Sequence, residues 1–202
     1  MSPRKYDMTK RAEALEATRT RIVEATVAAH RELGIQATSW DEIASRAEVG
    51  VGTVYRHFRS LDELLPACGA VVTEALALPA ADEIPGLLDG AGSLRERIRR
   101  IVTRIFAAYE RGAPFIENIR RERAELPALE PWHQQIENTL DALSNEALRP
   151  ISPDKHALDL TRALADLYTW KAFKQRGLSH QDMVETVTGL IARAVTERPK
   201  RT

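Results

Sequence analysis

The twenty residues from Ser39 to Phe58 constrain this chain more than any other stretch. They read Ser-Trp-Asp-Glu-Ile-Ala-Ser-Arg-Ala-Glu-Val-Gly-Val-Gly-Thr-Val-Tyr-Arg-His-Phe and parse as a helix, a tight turn and a second short helix. The Ser-x-x-Glu pattern from Ser39 to Glu42 can satisfy the free amides of a helix start from both sides. Ile43, Ala44 and Ala47 then fall at the spacing of one buried stripe. Gly50 and Gly52 make a sterically small corner, and the second of them would let a backbone approach a phosphate closely. Val54 and Phe58, four residues apart, anchor the second helix inward. Thr53, Tyr55, Arg56 and His57 are left largely outward, and all four can donate hydrogen bonds to phosphate oxygens; Tyr and Arg can also reach base edges. This is the layout of a DNA-reading helix-turn-helix.

The stretch resembles the tetracycline-repressor-like (TetR) family of transcriptional regulators, whose signature runs roughly Ile-Ala-x-x-Ala-Gly-Val-Ser-x-Gly-Thr-Leu-Tyr-x-His-Phe. Ile43, Ala44, Ala47, Val49, Gly52, Thr53, Tyr55, His57 and Phe58 match it. The departures are Glu48 for Gly, Gly50 for the capping Ser and Val54 for Leu. Glu48, in a turn position that often needs positive φ, is expected to carry strain. The resemblance covers about Thr18 to Leu65. It implies an all-α chain with a three-helix head at 18–60 (motif 39–58), a lever helix, and a C-terminal helical body at 61–202 that binds an effector and dimerises. Thr53, Tyr55 and His57 are assigned mainly to phosphates, with Trp40 and Arg59 nearby. Val51, Gly52, Tyr55 and Arg56 are assigned to base edges, although Val51 could equally pack against the turn. Thr20 and Arg21, at the start of the first helix, suit the DNA backbone.

The formal net charge over 202 residues is zero, so the distribution matters more than the sum. Residues 1–21 hold six cations against three acids, and 1–17 reads as a flexible basic arm that continues as a frayed helix from about Lys10. Cys68 is the only cysteine, which excludes an intrachain disulfide or thiolate cluster and fits a reducing cytoplasm. No apolar run approaches the ~20 residues that span a bilayer, so a soluble cytoplasmic protein without a membrane partner is expected. The five histidines form no His-x-x-x-His pair, and there is no phosphate loop or serine nucleophile elbow. No metal, cofactor, catalytic residue or enzyme activity is expected, and Cys68, inside an apolar helix, reads as packing.

Ile22, Ala25, Ala29 and Leu33 mark the first helix, and Gly34 terminates it. The lever helix starts at Ser60 or Asp62 and extends through Leu76, with Pro66 read as lying in its first turn. Breakers between Pro79 and Gly92 predict a loop. Further helices are expected from Ser93 to about Gly112, over 115–125, over 131–148, as one piece over 154–176, and from Ser179 onward. The helix over 154–176 is apolar round most of its circumference, and the last carries a broad apolar face. This points to a twofold homodimer with Leu160, Leu164, Leu167, Val184, Val187 and Ile191 at its interface, or else to two central helices of a monomeric core. Phe106, Tyr109, Phe115, Trp132 and Tyr168 are the candidates to line an effector pocket, and the same residues at helical spacing also fill interiors. The resulting expectation is a ligand-responsive homodimeric repressor of a palindromic DNA operator, with an unnamed small-molecule effector. The alternatives are an activator, or a helical interaction protein that keeps the head without operator affinity.

Overall fold

The computed structural model describes residues 8–197, and every regular element among them is a helix. Helix α1 runs Met8–Leu33. The segment Met8 to Ala17, assigned above to the arm, therefore forms its opening turns, while Met1–Asp7 lie outside the described residues. α1 ends at Gly34, whose φ is 95° and whose N–H donates to His30 O at 3.0 Å. The space is crowded as well: a Cβ would stand 2.7 Å from Glu122 Oε1 and 2.9 Å from Arg121 Nη2, and both side-chain ends would have to shift.

α2 (Trp40–Arg46), α3 (Val51–His57) and α4 (Leu61–Leu76) follow. One buried cluster joins Ile22, Val23 and Ala25 of α1, Ile43, Ala44 and Ala47 around α2, Val54 and Phe58 around α3, and Leu64 and Cys68 of α4. Burying an aliphatic or aromatic side chain of this kind contributes about 1.5–3 kcal/mol, so the short α2 and α3 are held by packing and not by helix propensity. Ser60, not Asp62, caps α4, its Oγ accepting from Glu63 N at 3.3 Å. Pro66 sits inside α4, beyond the expected first turn, where its missing N–H leaves the Asp62 carbonyl without a helical donor.

By packing, the chain divides into two units: residues up to Val72 with Pro114–Glu130, and Thr73–Ala113 with Pro131 onward. This differs from the 18–60 and 61–202 division for two reasons. Leu64 and Cys68 belong to the head's core, and long-range polar bonds tie 114–130 to α1. Buried Asn118 donates from Nδ2 to His30 O at 2.7 Å, and buried Glu122 accepts from Gln36 N at 2.8 Å. His30 is itself buried, its Nε2 has no hydrogen-bond partner, and burial pushes the imidazole down from 6.5 to about 4 against the opposing pull of Glu122.

The second unit contains α5 (Ile84–Leu87), the first part of α6 (Leu94–Glu122), α7 (Glu130–Leu148), α8 (Lys155–Leu164), α9 (Leu167–Gln175) and α10 (His180–Thr196). α6 covers two expected helices with a kink at Gly112 (φ −140°, ψ 17°), where glycine and Pro114 together interrupt the ladder. Just before the kink, Arg111 donates to Ala75 O at 2.9 Å and to Leu76 O at 2.5 Å, satisfying carbonyls at the end of α4.

The single helix expected over 154–176 is two. α8 closes at Ala165, and Asp166 then caps α9 by accepting from Tyr168 N at 2.9 Å. Apolar residues that wrap all round one continuous helix thus fall on separate faces of two. Accordingly Leu167, Val187 and Ile191 are 0 % exposed and Val184 5 % within the single chain, so these four of the six expected dimer contacts are core. Leu160 and Leu164 are only partly covered, and Leu190 of α10 is exposed.

Candidate nucleic-acid interface

Ser39 begins the candidate site by capping α2, its Oγ accepting from Glu42 N at 3.1 Å. The reciprocal half of the expected capping box is replaced: the Glu42 carboxylate takes Arg46 Nε at 2.6 Å, and Arg46 also pairs with Glu32 of α1 at 2.8 Å. α2 ends in a Schellman arrangement, with Val49 N donating to Ala44 O at 3.0 Å and Glu48 N to Ser45 O at 3.2 Å. The pivot of that motif is Glu48 at φ 54°, a left-handed conformation that costs a non-glycine residue about 1 kcal/mol. Gly50 is the N-cap of α3 in extended conformation, with no side chain to cap it.

From this corner α3 turns Val54 and Phe58 into the core, at 0 % and 1 % exposure. Val51, Gly52, Tyr55, Arg56 and Arg59 are exposed, and Thr53 and His57 are half-buried beside them. Two contacts were not foreseen. Trp40 stacks on Tyr55 with ring centroids 5.0 Å apart, which braces the middle of α3 against the start of α2. Arg56 lies back along its own helix, donating from Nη2 to Thr53 Oγ1 at 2.8 Å and from Nε to Gly52 O at 3.3 Å. Aromatic spacing hinted at the first only by bringing two large rings into one motif; the second follows the ordinary i,i+3 and i,i+4 geometry of a helix.

Gly52 is the most informative of these residues. Its backbone dihedrals are not left-handed, and a Cβ built on it would meet nothing within 4 Å. The fold therefore makes no demand for glycine inside this short helix, where glycine is destabilising. Arg19 lies over the Phe58 ring at 4.6 Å, so the neighbouring exposed Thr20 and Arg21 sit near the end of α3. Together these residues present hydroxyl, phenol, imidazole, guanidinium and bare backbone on one small, cation-bearing surface, a set suited to phosphates and base edges.

The aromatic residues expected to share a pocket do not form one group. Phe106 and Tyr109 are buried with centroids 6.2 Å apart, and Tyr109 packs on Trp170 at 6.0 Å while its hydroxyl donates to Ala165 O at 3.2 Å. They are core residues of the second unit. Tyr168 is 55 % exposed, Trp132 is half-buried in the second unit, and Phe115 is half-buried in the first. A surface groove of about 620 Å³, lined by residues including Ile84, Asn145, Glu146, Arg149 and Pro153, contains none of the five aromatics. Burial pushes the Cys68 thiol up to about 12, which leaves it protonated and unsuited to act as a nucleophile. Among the described residues no group of side chains has the makings of a metal site, and no helix is long and apolar enough to cross a membrane.

Comparison with known proteins agrees with this geometry. Residues 22–68 match the family model described as bacterial regulatory proteins, tetR family. The chain is 28% identical over 151 residues to the HTH-type transcriptional repressor KstR of Rhodococcus jostii, covering 74% of this chain and 68% of that one. Among solved structures, a TetR-like transcriptional regulator from Rhodococcus sp. RHA1 superposes with a TM-score of 0.65 at 16% identity, over 90% of this chain and 97% of the other. The multidrug binding protein EbrR, complexed with imidazole, does so with a TM-score of 0.56 at 18% identity, over 91% and 98%. The two structural matches share the fold.

Proposed function

The chain belongs to the TetR family of bacterial regulatory proteins, and from that premise we propose that it is a homodimeric repressor, released from a roughly palindromic operator by a small molecule. It is a DNA-binding transcriptional regulator and not an enzyme. The observation that carries the finer reading is the outward face of α3. There, an anchored Val54 and Phe58 leave Val51, Gly52, Tyr55 and Arg56 in solvent, with a glycine at 52 that the fold itself does not require.

In this reading Thr53, Tyr55 and His57 hold phosphates, with Trp40, Arg59, Thr20 and Arg21 at the margins. Gly52 lets the helix approach, and Arg56 leaves Thr53 to reach a base. A bidentate arginine–guanine pair discriminates by about 1–3 kcal/mol. Two copies related by a twofold axis read half-sites about one DNA turn apart. The incompletely covered Leu160, Leu164 and Leu190 on the packed pair α8 and α10 support pairing through these helices. An effector site within the second unit is supported by the Trp170 indole N–H, which is buried beside Tyr109 without an acceptor. The effector must bind the DNA-incompetent conformation more tightly in order to release the operator. The protein acts in the cytoplasm, where its DNA is.

The test is selection of duplexes from a random pool by the full chain, followed by binding of the selected duplex to a Thr53→Ala, Tyr55→Phe, His57→Ala triple variant. The variant is expected to lose about 100-fold or more in specific affinity. Retention of wild-type affinity, or a strictly monomeric wild-type protein, overturns the reading.

A further inference from the structure

Five acids lie between Ser39 and Glu63, and four of them have a structural reason to be there. Asp41 stands in the first turn of α2 and Asp62 in the first turn of α4, where the helix dipole favours a negative charge. Glu42 binds Arg46 at 2.6 Å, and Glu63 accepts from Arg59 N at 2.8 Å. Glu48 is the exception. It follows the C-terminus of α2, where the same dipole disfavours an acid, and its φ of 54° is costly to any residue with a Cβ. Its side chain is exposed, and among the described residues its carboxylate has no hydrogen-bond or ion-pair partner. Folding gains nothing from this charge.

The charge stands beside the reading surface. Gly52 is four residues further along, so the two Cα atoms lie within about 14 Å of each other. A charge is felt over a comparable distance, about 10 Å at 0.1 M salt and about 30 Å at 0.01 M. Arg46, the cation nearest in sequence, is already committed to Glu42 and Glu32. We infer that Glu48 is a specificity-determining residue, a fixed negative charge that rejects DNA registers in which phosphate lies against the turn before α3. The inference rests on the DNA-reading role proposed above. Non-specific binding is drawn almost wholly by phosphates, and it lets a head settle on the backbone in many positions. In those positions Glu48 meets phosphate and weakens the complex. When the start of α3 enters the major groove, base edges surround it instead, and the penalty shrinks. Discrimination then comes from a repulsion felt by the wrong complexes as well as from contacts made in the right one.

The experiment compares the full-length wild type, E48Q and E48D on the duplex recovered by selection and on a scrambled duplex of equal length and composition, at low and at physiological salt. E48Q keeps the size of the side chain and loses its charge, whereas E48D keeps the charge; circular dichroism checks that helicity is retained. At low salt E48Q is expected to bind the scrambled duplex about 5-fold more tightly than the wild type, and the selected duplex less than about 2-fold more tightly. The gain should shrink as salt rises, and E48D should keep wild-type discrimination. Unchanged binding of E48Q to the scrambled duplex, an equal gain on both duplexes, or an E48D that behaves as E48Q overturns the inference while the α3 reading stands. Weaker binding of E48Q to the selected duplex also overturns it, by making Glu48 an attractive contact. A wild type that selects no duplex overturns the α3 reading and this inference with it.

Discussion

Gly34 closes the corner after α1 and Gly52 stands in the first turn of α3, and the two glycines answer to different demands. At Gly34 the backbone is left-handed and the space is filled, since a Cβ would press on the bonded Glu122 carboxylate. At Gly52 the backbone is ordinary and the space is open. Glu48 lies between these cases: its backbone is left-handed like that of Gly34, but its side chain is exposed like the Gly52 position. A glycine required from inside is fixed by the fold. One that the fold does not require reports on what must approach from outside.

The largest effect expected from this contrast is at Gly34. Gly34→Ala adds the left-handed penalty to a displacement of the Glu122 and Arg121 side-chain ends, and it should lower stability by about 2 kcal/mol in denaturant unfolding. A loss below about 1 kcal/mol would show that this corner is less filled than described.

The same corner predicts a pH dependence. His30 sits at about 4 when folded against 6.5 ordinarily, so between those values the unfolded chain binds the additional proton. Stability is then complete above about pH 6.5 and falls as pH drops towards 4, by about 3 kcal/mol in all. His30→Leu should flatten that decline in urea midpoints measured across the interval; an equally steep decline in the variant would assign it to other groups.

Glu48→Gly isolates conformation without crowding and should raise stability by about 1 kcal/mol in thermal unfolding. Gly52→Ala should also stabilise, by about 0.5–1 kcal/mol, because it removes a glycine from a helix and meets no neighbour. It is also expected to weaken operator binding, and that opposition of signs is what separates an external demand from an internal one. A variant that is more stable and binds DNA as well as the wild type would remove Gly52 from the interface.

The head was legible because its determinants are local. Ser39 as cap, the Ile43, Ala44 and Ala47 stripe, and Val54 with Phe58 are all fixed by spacing within a few residues, and each falls where that spacing puts it. Even the strain at Glu48 could be anticipated from its turn position. The body was read less well, for two physical reasons. The break between α8 and α9 occurs at Ala165 without glycine or proline, and its only signal was the capping Asp166. The bonds that bring 114–130 to α1, such as Glu122 to Gln36 across 86 positions, leave no periodic trace. Removing the break merges two half-apolar helices into one fully apolar one, and this is why Leu167, Val187 and Ile191 were assigned to a partner instead of to their own core.

The path of the chain between its two units carries a consequence for any attempt to recombine such proteins. It passes from one to the other inside α4, again inside α6 at the Gly112 kink, and a third time after Glu130. A graft that kept only the first sixty residues would discard α4, whose Leu64 and Cys68 complete the buried cluster, together with the amide of Asn118 and the carboxylate of Glu122. The backbone oxygen of His30 and the amide of Gln36 would then lose these partners. Exchange of the second unit in this protein therefore requires junctions on both sides of the Pro114–Glu130 segment, which has to travel with α1 to α3.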